Sequence, residues 1–291
     1  MSESSVSQSS VSQSSVSQSS VPRPPRMVSD RANRSLDVVP DSARSPIAKR
    51  WQRGVLRERI AESSTAATLV FDVPGCVGAL AGQRMEIRLT AADFYRAQRA
   101  YSLSRVGVPG EVEVAVQVTP GGEISPFLVR DLAVGDEVEF RGPIGGWFTW
   151  EPAQPEPILL VGGGSGITPL MAMLRERRRV LDAGERATLP PMRMLYSVRT
   201  PSDVWFAQEL LAAAAGEEIC VVHTRQTTTG AAPPAGRISP DDLVWTSHAG
   251  DPSVTTAYVC GPSGFVEHVS DLLLGWGHEA THIRTERFGW T

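Results

Sequence analysis

The chain has 291 residues, with 41% apolar residues and a net charge of -4. That length fits about two domains of roughly 100–200 residues, each able to bury a core. The mild negative charge argues against broad nucleic-acid binding. The three cysteines (Cys76, Cys220, Cys260) stand far apart, which suggests neither a disulfide framework nor a zinc site. A plant-type iron–sulfur cluster needs a C-x4-C-x2-C run, and the sequence has none.

Residues 4–21 repeat SSVSQ three times and begin a fourth copy. Such a segment, without aromatic residues, cannot bury enough apolar surface to offset chain entropy, so disorder is expected. Residues 22–50 add prolines and arginines, which read as a solvated linker or as a basic arm for an acidic partner. The N-terminus lacks the basic and apolar regions of a signal peptide, and no apolar stretch approaches the ~18 residues of a membrane helix. A cytoplasmic location and no membrane association are therefore expected.

Order is expected from about Trp51. In the stretch to about Glu151, Val112, Val114, Val116 and Val118 alternate with Glu111, Glu113, Ala115 and Gln117, the period of a half-buried strand. Further strands are predicted at 67–73, 85–89 and 137–140, with turns at 73–75, 108–110 and 120–122. Frequent short strands with little helix predict a small antiparallel β-barrel. From Pro157 onward strands alternate with helices. Strands are predicted at 158–161, 192–198, 219–223, 256–260 and 282–286. Helices are predicted from Pro169, from Ser202 to about Ala214, from Ser239–Pro240, and from Pro262 to Leu274 with a stop at Gly275. On the first helix, Leu170, Met173, Leu174, Val180 and Leu181 form the apolar face, while Arg175, Arg177, Arg178 and Arg179 populate the rest. This alternation predicts a parallel sheet with helices on both faces. The expected organisation is a tail over 1–50, a barrel domain over 51–152 and an α/β domain over 153–291.

Residues 159–171 read LLVGGGSGITPLM. A strand ending in this way leaves bare backbone amides at a helix N-terminus, where a phosphate can sit. The run Gly162, Gly163, Gly164, Ser165, Gly166, Ile167, Thr168 is not the G-x-G-x-x-G fingerprint, and no Asp or Glu ends the next strand to hold a ribose hydroxyl. That strand ends in Tyr196-Ser197-Val198-Arg199-Thr200 instead. A guanidinium with hydroxyls can grip a 2′-phosphate through charge-assisted hydrogen bonds, which favours NADPH over NADH. The plain alternatives are tight strand–helix packing for the glycines and a solvated side chain for Arg199. Upstream, alternation along R-A-Y-S puts Arg99 and Tyr101 on one side of an extended segment and Ser102 on the other, a pattern also compatible with ordinary strand chemistry.

The order R-x-Y-S (99–102), G-x-x-S (Gly122 to Ser125), GGGSGITP, C-G-P (Cys260, Gly261, Pro262) and E-x-F (Glu286 to Phe288) resembles the ferredoxin–NADP reductase family. It looks closest to stand-alone bacterial FAD-binding oxidoreductases without a fused ferredoxin domain, over roughly residues 51–291. The resemblance implies a flavin-binding barrel followed by a nucleotide-binding domain. It implies Arg99 on the flavin pyrophosphate, Tyr101 stacked on the ring system, and Ser102 near flavin N5. Gly122 and Ser125 would hold phosphate, and Gly162 to Thr168 would hold the nicotinamide dinucleotide. Cys260 and Gly261 would lie beside the nicotinamide, with Glu286 a carboxylate at the site and Phe288 a ring-capping aromatic. The sequence continues to Gly289, Trp290 and Thr291, so the capping ring is open between Phe288 and Trp290. FAD is favoured over FMN because Arg99 and Ser125 suit a diphosphate. The plain alternatives are a small buried residue for Cys260 and ordinary packing for Phe288.

The implied activity is transfer of hydride from NAD(P)H to the flavin and of electrons onward to a separate protein, a ferredoxin, cytochrome or oxygenase component. No strongly shifted pKa is required. Histidines occur at 223, 248, 268, 278 and 282 without a metal-ligand cluster, and His268 and His278 are expected to face solvent. Two other readings stand beside this one: a non-catalytic redox-sensing subunit, and a reductase of free flavin or quinone.

Overall fold

The computed structural model describes residues 50–214, 216–225, 236–247 and 251–289. The expected disordered tail lies almost wholly outside them, as do His248 and Trp290.

Six strands form a closed antiparallel barrel: β1 (Gln52–Ser63), β2 (Ala66–Asp72), β3 (Arg84–Thr90), β4 (Arg96–Arg105), β5 (Glu111–Gln117) and β6 (Glu137–Ile144), in the order β1-β2-β5-β4-β3-β6. A short helix, α1 (Ile124–Pro126), runs into a π-helical turn, Phe127–Asp131, between β5 and β6. Leu56, Leu69, Phe71, Met85, Ile87, Leu103 and Phe140 fill the interior, with Phe71 edge-on to Phe140 at 4.9 Å. Burying each such side chain contributes about 1.5–3 kcal/mol relative to exposure. Closure pairs every strand on both sides and removes the exposed edges of an open sheet.

The prediction for β5 is half right. Val112, Val114 and Val116 are fully buried, but Glu113 and Ala115 are buried too. The outward face of β5 is covered by the second lobe, and Glu113 meets an arginine there.

That lobe is a parallel sheet of β7 (Ile158–Gly163), β8 (Met192–Val198), β9 (Glu217–His223), β10 (Thr256–Pro262) and β11 (Ile283–Phe288), in the order β11-β10-β7-β8-β9. Its helices are α2 (Ile167–Asp182), α3 (Ala207–Leu211), α4 (Pro240–Ser247) and α5 (Ser263–Trp276). Alternate residues separate two cores. Leu160, Met194, Tyr196, Tyr258 and Cys260 join α2 and the barrel, while Leu159, Val161, Leu195 and Val259 join α4 and α5. β7 is buried along its whole length, as a strand covered on both faces must be.

Three helix expectations need correction. The helix expected from Ser202 is a single turn, Pro201–Asp203, capped by Thr200, followed by the shorter α3. Phe206 separates them at φ 55°, a left-handed conformation that no helix interior accommodates. Gly275 lies inside α5, and the helix ends at Gly277, whose φ of 105° supplies the left-handed C-terminal residue. On α2 the arginines do not form a solvent face. Arg177 is buried, and Arg175, Arg178 and Arg179 each pair with glutamates. His278 is buried rather than solvent-facing, and His268 is half-buried with Nε2 against the Ile238 carbonyl at 2.8 Å.

Candidate functional site

The strand order reverses direction between β7 and β10, the point where the following crossovers depart to opposite sides. A crevice forms outside the carboxyl ends of strands at such a switch, and ligands bind there. The C-terminal ends of these strands carry the residues singled out from sequence. One row across the sheet reads Tyr196, Gly162, Cys260, Glu286. The next residues are Ser197 beside Gly163, and Gly261 beside Arg287. Pro262 pairs with Phe288, and exposed Arg199 follows the end of β8.

The glycines do two kinds of work here. A Cβ on Gly166 would stand 2.1 Å from the Cys260 carbonyl oxygen, and one on Gly163 would meet the Phe265 ring at 2.8 Å. Those two, with Gly261 (φ 159°), let the turn lie directly on the end of β10. Gly164 differs. It has φ 54°, with open space where a Cβ would point. Gly164 and Ser165 are half-exposed, so this part of the turn is the accessible part. Thr168 is buried and its Oγ1 donates to the Ser165 carbonyl at 2.9 Å, which fixes the turn from within.

On the barrel, β4 places Tyr101 opposite Met85 and Ser102 opposite Arg84. Arg99, Tyr101 and Ser102 follow the expected alternation, and the Arg99 charge is felt at the Tyr101 phenol. Gln98, Arg99 and Ala100 are exposed, so this stretch of β4 is open to solvent on both faces. At the turn after β5, the Gly122 N–H donates to the Thr119 carbonyl at 2.9 Å. Ser125 Oγ accepts from the Thr119 N–H at 2.9 Å, which leaves its own proton to donate. A cavity of about 730 Å³ opens at the Phe94–Tyr95 end of β4. Tyr101, Ser102, Cys260 and Glu286 do not line it, so the size of that cavity does not make it the reactive centre.

The two lobes share one large apolar core: Cys260 belongs to it, and Tyr101 and Phe288 pack against it. Arg84, the partner of Ser102, acts electrostatically on Glu286, the partner of Cys260. The Tyr101 hydroxyl, Ser102 Oγ and Glu286 Oε2 are buried without a hydrogen-bond partner. Orphaned buried polar atoms are costly, so each has room to pair with a polar group of a ligand. A flat heterocycle with several acceptors and donors suits this set, and the cradle at Gly164 and Ser165 suits phosphate. The residues present therefore fit a flavin and a dinucleotide.

Electrostatics sharpen the picture. Burial raises the Glu286 carboxyl to about 7, against the opposing pull of Arg84. The proposed chemistry does not require such a shift; burial of the carboxyl produces it. Burial also raises the Cys260 thiol well above its ordinary value, and the Glu286 carboxylate adds to the effect. Burial raises the Tyr101 phenol as well.

Sequence reasoning missed Arg84 and Phe265. Arg84 begins β3, whose remainder was recognised, but only the packing of the second lobe on the barrel brings it within electrostatic reach of Glu286. Phe265 stands in the first turn of α5, and its close approach to Gly163 and Gly261 arises only from the packing of α5 on the sheet.

Residues 53–149 match the oxidoreductase FAD-binding domain, and residues 160–271 match the oxidoreductase NAD-binding domain. The chain is 27% identical over 212 residues to the reductase component of propane 2-monooxygenase from Rhodococcus jostii, covering 71% of this chain and 55% of that protein. It is 27% identical over 261 residues to the toluate 1,2-dioxygenase electron transfer component of Pseudomonas putida, covering 86% and 72%. The chain thus spans only about half the length of the first of these relatives. Among solved structures it resembles the FAD/NAD-binding domain of nitric oxide dioxygenase from Vibrio cholerae, with a TM-score of 0.70, 25% identity, and coverage of 82% of this chain and 99% of that one. The ferredoxin reductase of carbazole 1,9a-dioxygenase shares the fold, with a TM-score of 0.68, 23% identity, and coverage of 82% and 70%. The FAD-binding and NAD-binding domain matches, which together span most of the chain, and the barrel followed by a parallel sheet place this chain in the family of ferredoxin reductase-like oxidoreductases.

Proposed function

We propose that the protein takes hydride from NAD(P)H onto a bound FAD and passes electrons to a separate protein acceptor. The observation that carries this reading is an FAD-binding-domain barrel joined to an NAD-binding-domain sheet whose strand ends pair Cys260 with Glu286, while Tyr101 Oη, Ser102 Oγ and Glu286 Oε2 are buried without a hydrogen-bond partner. When bound, the flavin supplies the conversion of a two-electron donor into one-electron steps. Everything else belongs to the chain.

Arg99 and the turn at Gly122–Ser125 neutralise and orient the flavin diphosphate. Tyr101 offers a ring face, and Ser102 a hydroxyl donor where charge develops. The accessible part of the turn, Gly164 and Ser165, takes the dinucleotide phosphates, with Gly162, Gly163, Gly166 and Thr168 shaping it. Gly261 and Pro262 shape the end of β10 so that Cys260 borders the reacting atoms. Phe288 covers the junction, and apolar packing there excludes water. Glu286, raised toward neutrality, can hold a proton at its carboxyl near neutral pH. Ser197 and Arg199 lie where a 2′-phosphate would be read, which favours NADPH over NADH.

The named relatives support a separate acceptor, since two of them are components of oxygenase systems. A cytoplasmic site of action is part of this proposal. It accords with the finding that, among the described residues, no helix is long and apolar enough to cross a membrane. The test is NADPH oxidation with ferricyanide, a one-electron acceptor, compared with free FMN and a soluble quinone. Fast turnover with ferricyanide and slow turnover with the free small molecules supports a protein acceptor. Equal turnover with free flavin or quinone overturns that part of the reading.

A further inference from the structure

Away from the cleft, a buried ionic cluster joins the lobes, and the proposed hydride chemistry does not use it. Glu113 of β5 is 3% exposed. It accepts from Ser104 Oγ at 2.7 Å, lies 3.0 Å from Arg105 Nε, and pairs with Arg175 of α2. Arg175 also donates to the Ser104 carbonyl at 2.9 Å and, through Nε, to Glu209 of α3 at 2.8 Å. Its guanidinium stands 4.9 Å from the Phe206 ring centroid. A second barrel carboxylate, Glu62, accepts the Phe206 N–H at 2.7 Å and Thr68 Oγ1 at 2.7 Å. Phe206 is the residue held at φ 55°, a conformation that a bulky side chain keeps only when its surroundings impose it. Two carboxylates of the barrel thus grip an arginine and a strained backbone of the second lobe.

The placement of this grip is informative. Ser104 lies two residues beyond Ser102 on β4, in the bulge where the β4–β5 register shifts between Leu103 and Arg105. Arg175 lies seven residues beyond Thr168 on α2. At 3.6 residues per turn it returns to nearly the same face, about 10 Å along the axis. The clamp therefore ties the strand bearing the flavin contacts to the helix that emerges from the nucleotide turn. An apolar seam would hold two lobes together at least as well, because a buried ion pair gives back most of its attraction in desolvation. What the pair adds is direction: its hydrogen bonds are satisfied in one register of α2 on β4.

Resting on the function proposed above, we infer that Arg175 and Glu113 are positioning residues, setting the separation of the nicotinamide and flavin sites rather than merely cementing the lobes. Hydride transfer needs reacting atoms about 3–3.5 Å apart, and a displacement of about 1 Å costs on the order of a hundredfold in rate.

The test compares the flavin-loaded parent with R175M/E113L and E113Q. Flavin content, thermal midpoint, amide hydrogen exchange along 103–106 and 206–211, the KM for NADPH, and the rate of flavin bleaching by NADPH are measured. The double variant is expected to keep its flavin, its midpoint and its KM, yet to exchange faster at the seam and bleach roughly tenfold to a hundredfold more slowly. E113Q, almost isosteric, is expected to keep its fold and slow bleaching in the same direction, and it carries the test if the double variant fails to fold. Bleaching at the parent rate in a folded variant overturns the inference. A parent that NADPH does not bleach overturns the proposed function instead, so the two failures are distinguishable.

Discussion

Cys260 and Glu286 sit directly opposite each other across the parallel pair β10–β11, the thiol fully buried and the carboxyl raised to about 7. Burial raises both groups, and the Glu286 carboxylate makes ionisation of the Cys260 thiol harder still. The thiol thus stays protonated, while the carboxyl titrates at about pH 7.

Stability should report this carboxyl. Its folded pKa of about 7 is raised above the ordinary value of 4.5. Protons then bind the folded state more tightly, so the contribution is fully present below about pH 4.5 and is lost as pH rises through 7. Its full size is on the order of 3 kcal/mol. The thermal midpoint is expected to fall between about pH 5 and 8, and E286Q should flatten that fall. Parallel pH profiles for parent and variant would show that Glu286 is not the titrating group.

The Cys260 thiol should be inert in the native fold. It is fully buried and its ionisation is suppressed, while nucleophilic attack needs thiolate. Iodoacetamide at pH 8, followed by peptide mass analysis, should modify half-buried Cys220 before Cys260. Rapid native labelling of Cys260 would contradict the burial described for it.

The glycines of the turn should not respond alike. G166A drives a Cβ into the Cys260 carbonyl and should destabilise by on the order of 3 kcal/mol, the upper end of overpacking. G164A meets no neighbour and pays mainly for its left-handed backbone, about 1–2 kcal/mol. G264A, on α5 with open space, should be neutral or stabilising by up to about 1 kcal/mol. Denaturant midpoints with unchanged slopes would measure all three, and a G166A as stable as the parent would refute the close approach.

Arg199→Ala should separate the two nicotinamide donors. Loss of a charge-assisted hydrogen bond to a 2′-phosphate is worth about 1.5–3 kcal/mol, roughly tenfold to 150-fold in kcat/KM for NADPH. NADH, lacking that phosphate, should be unaffected. Equal losses with both would remove the assignment of Arg199.

Much of this fold was legible because it rests on local periodicity. β8 was bounded correctly by its apolar run, and the glycine turn announced β7 and α2 together. β1 was not found, since Arg53, Arg57, Glu58 and Arg59 break any apolar alternation, and barrel closure rather than propensity makes it a strand. The same limit explains Glu113 and His278, whose burial depends on elements distant in sequence. At the site, the motif residues could be named, but the core shared by both lobes, which holds Cys260 and against which Tyr101 and Phe288 pack, required the packed lobes. The partners of the α2 arginines were hidden for a related reason: apart from Glu176, three residues before Arg179, they lie on β5, β9, α3 and the loop after α2, beyond the reach of helical spacing.

The most direct test of the central claim is an anaerobic titration of the FAD-reconstituted protein with NADPH, following the visible flavin absorbance. One flavin per chain, fully bleached by about one equivalent of NADPH, is the expected result for a two-electron donor. A chain that retains no flavin, or a bound flavin that stays yellow under excess NADPH and NADH, would contradict it.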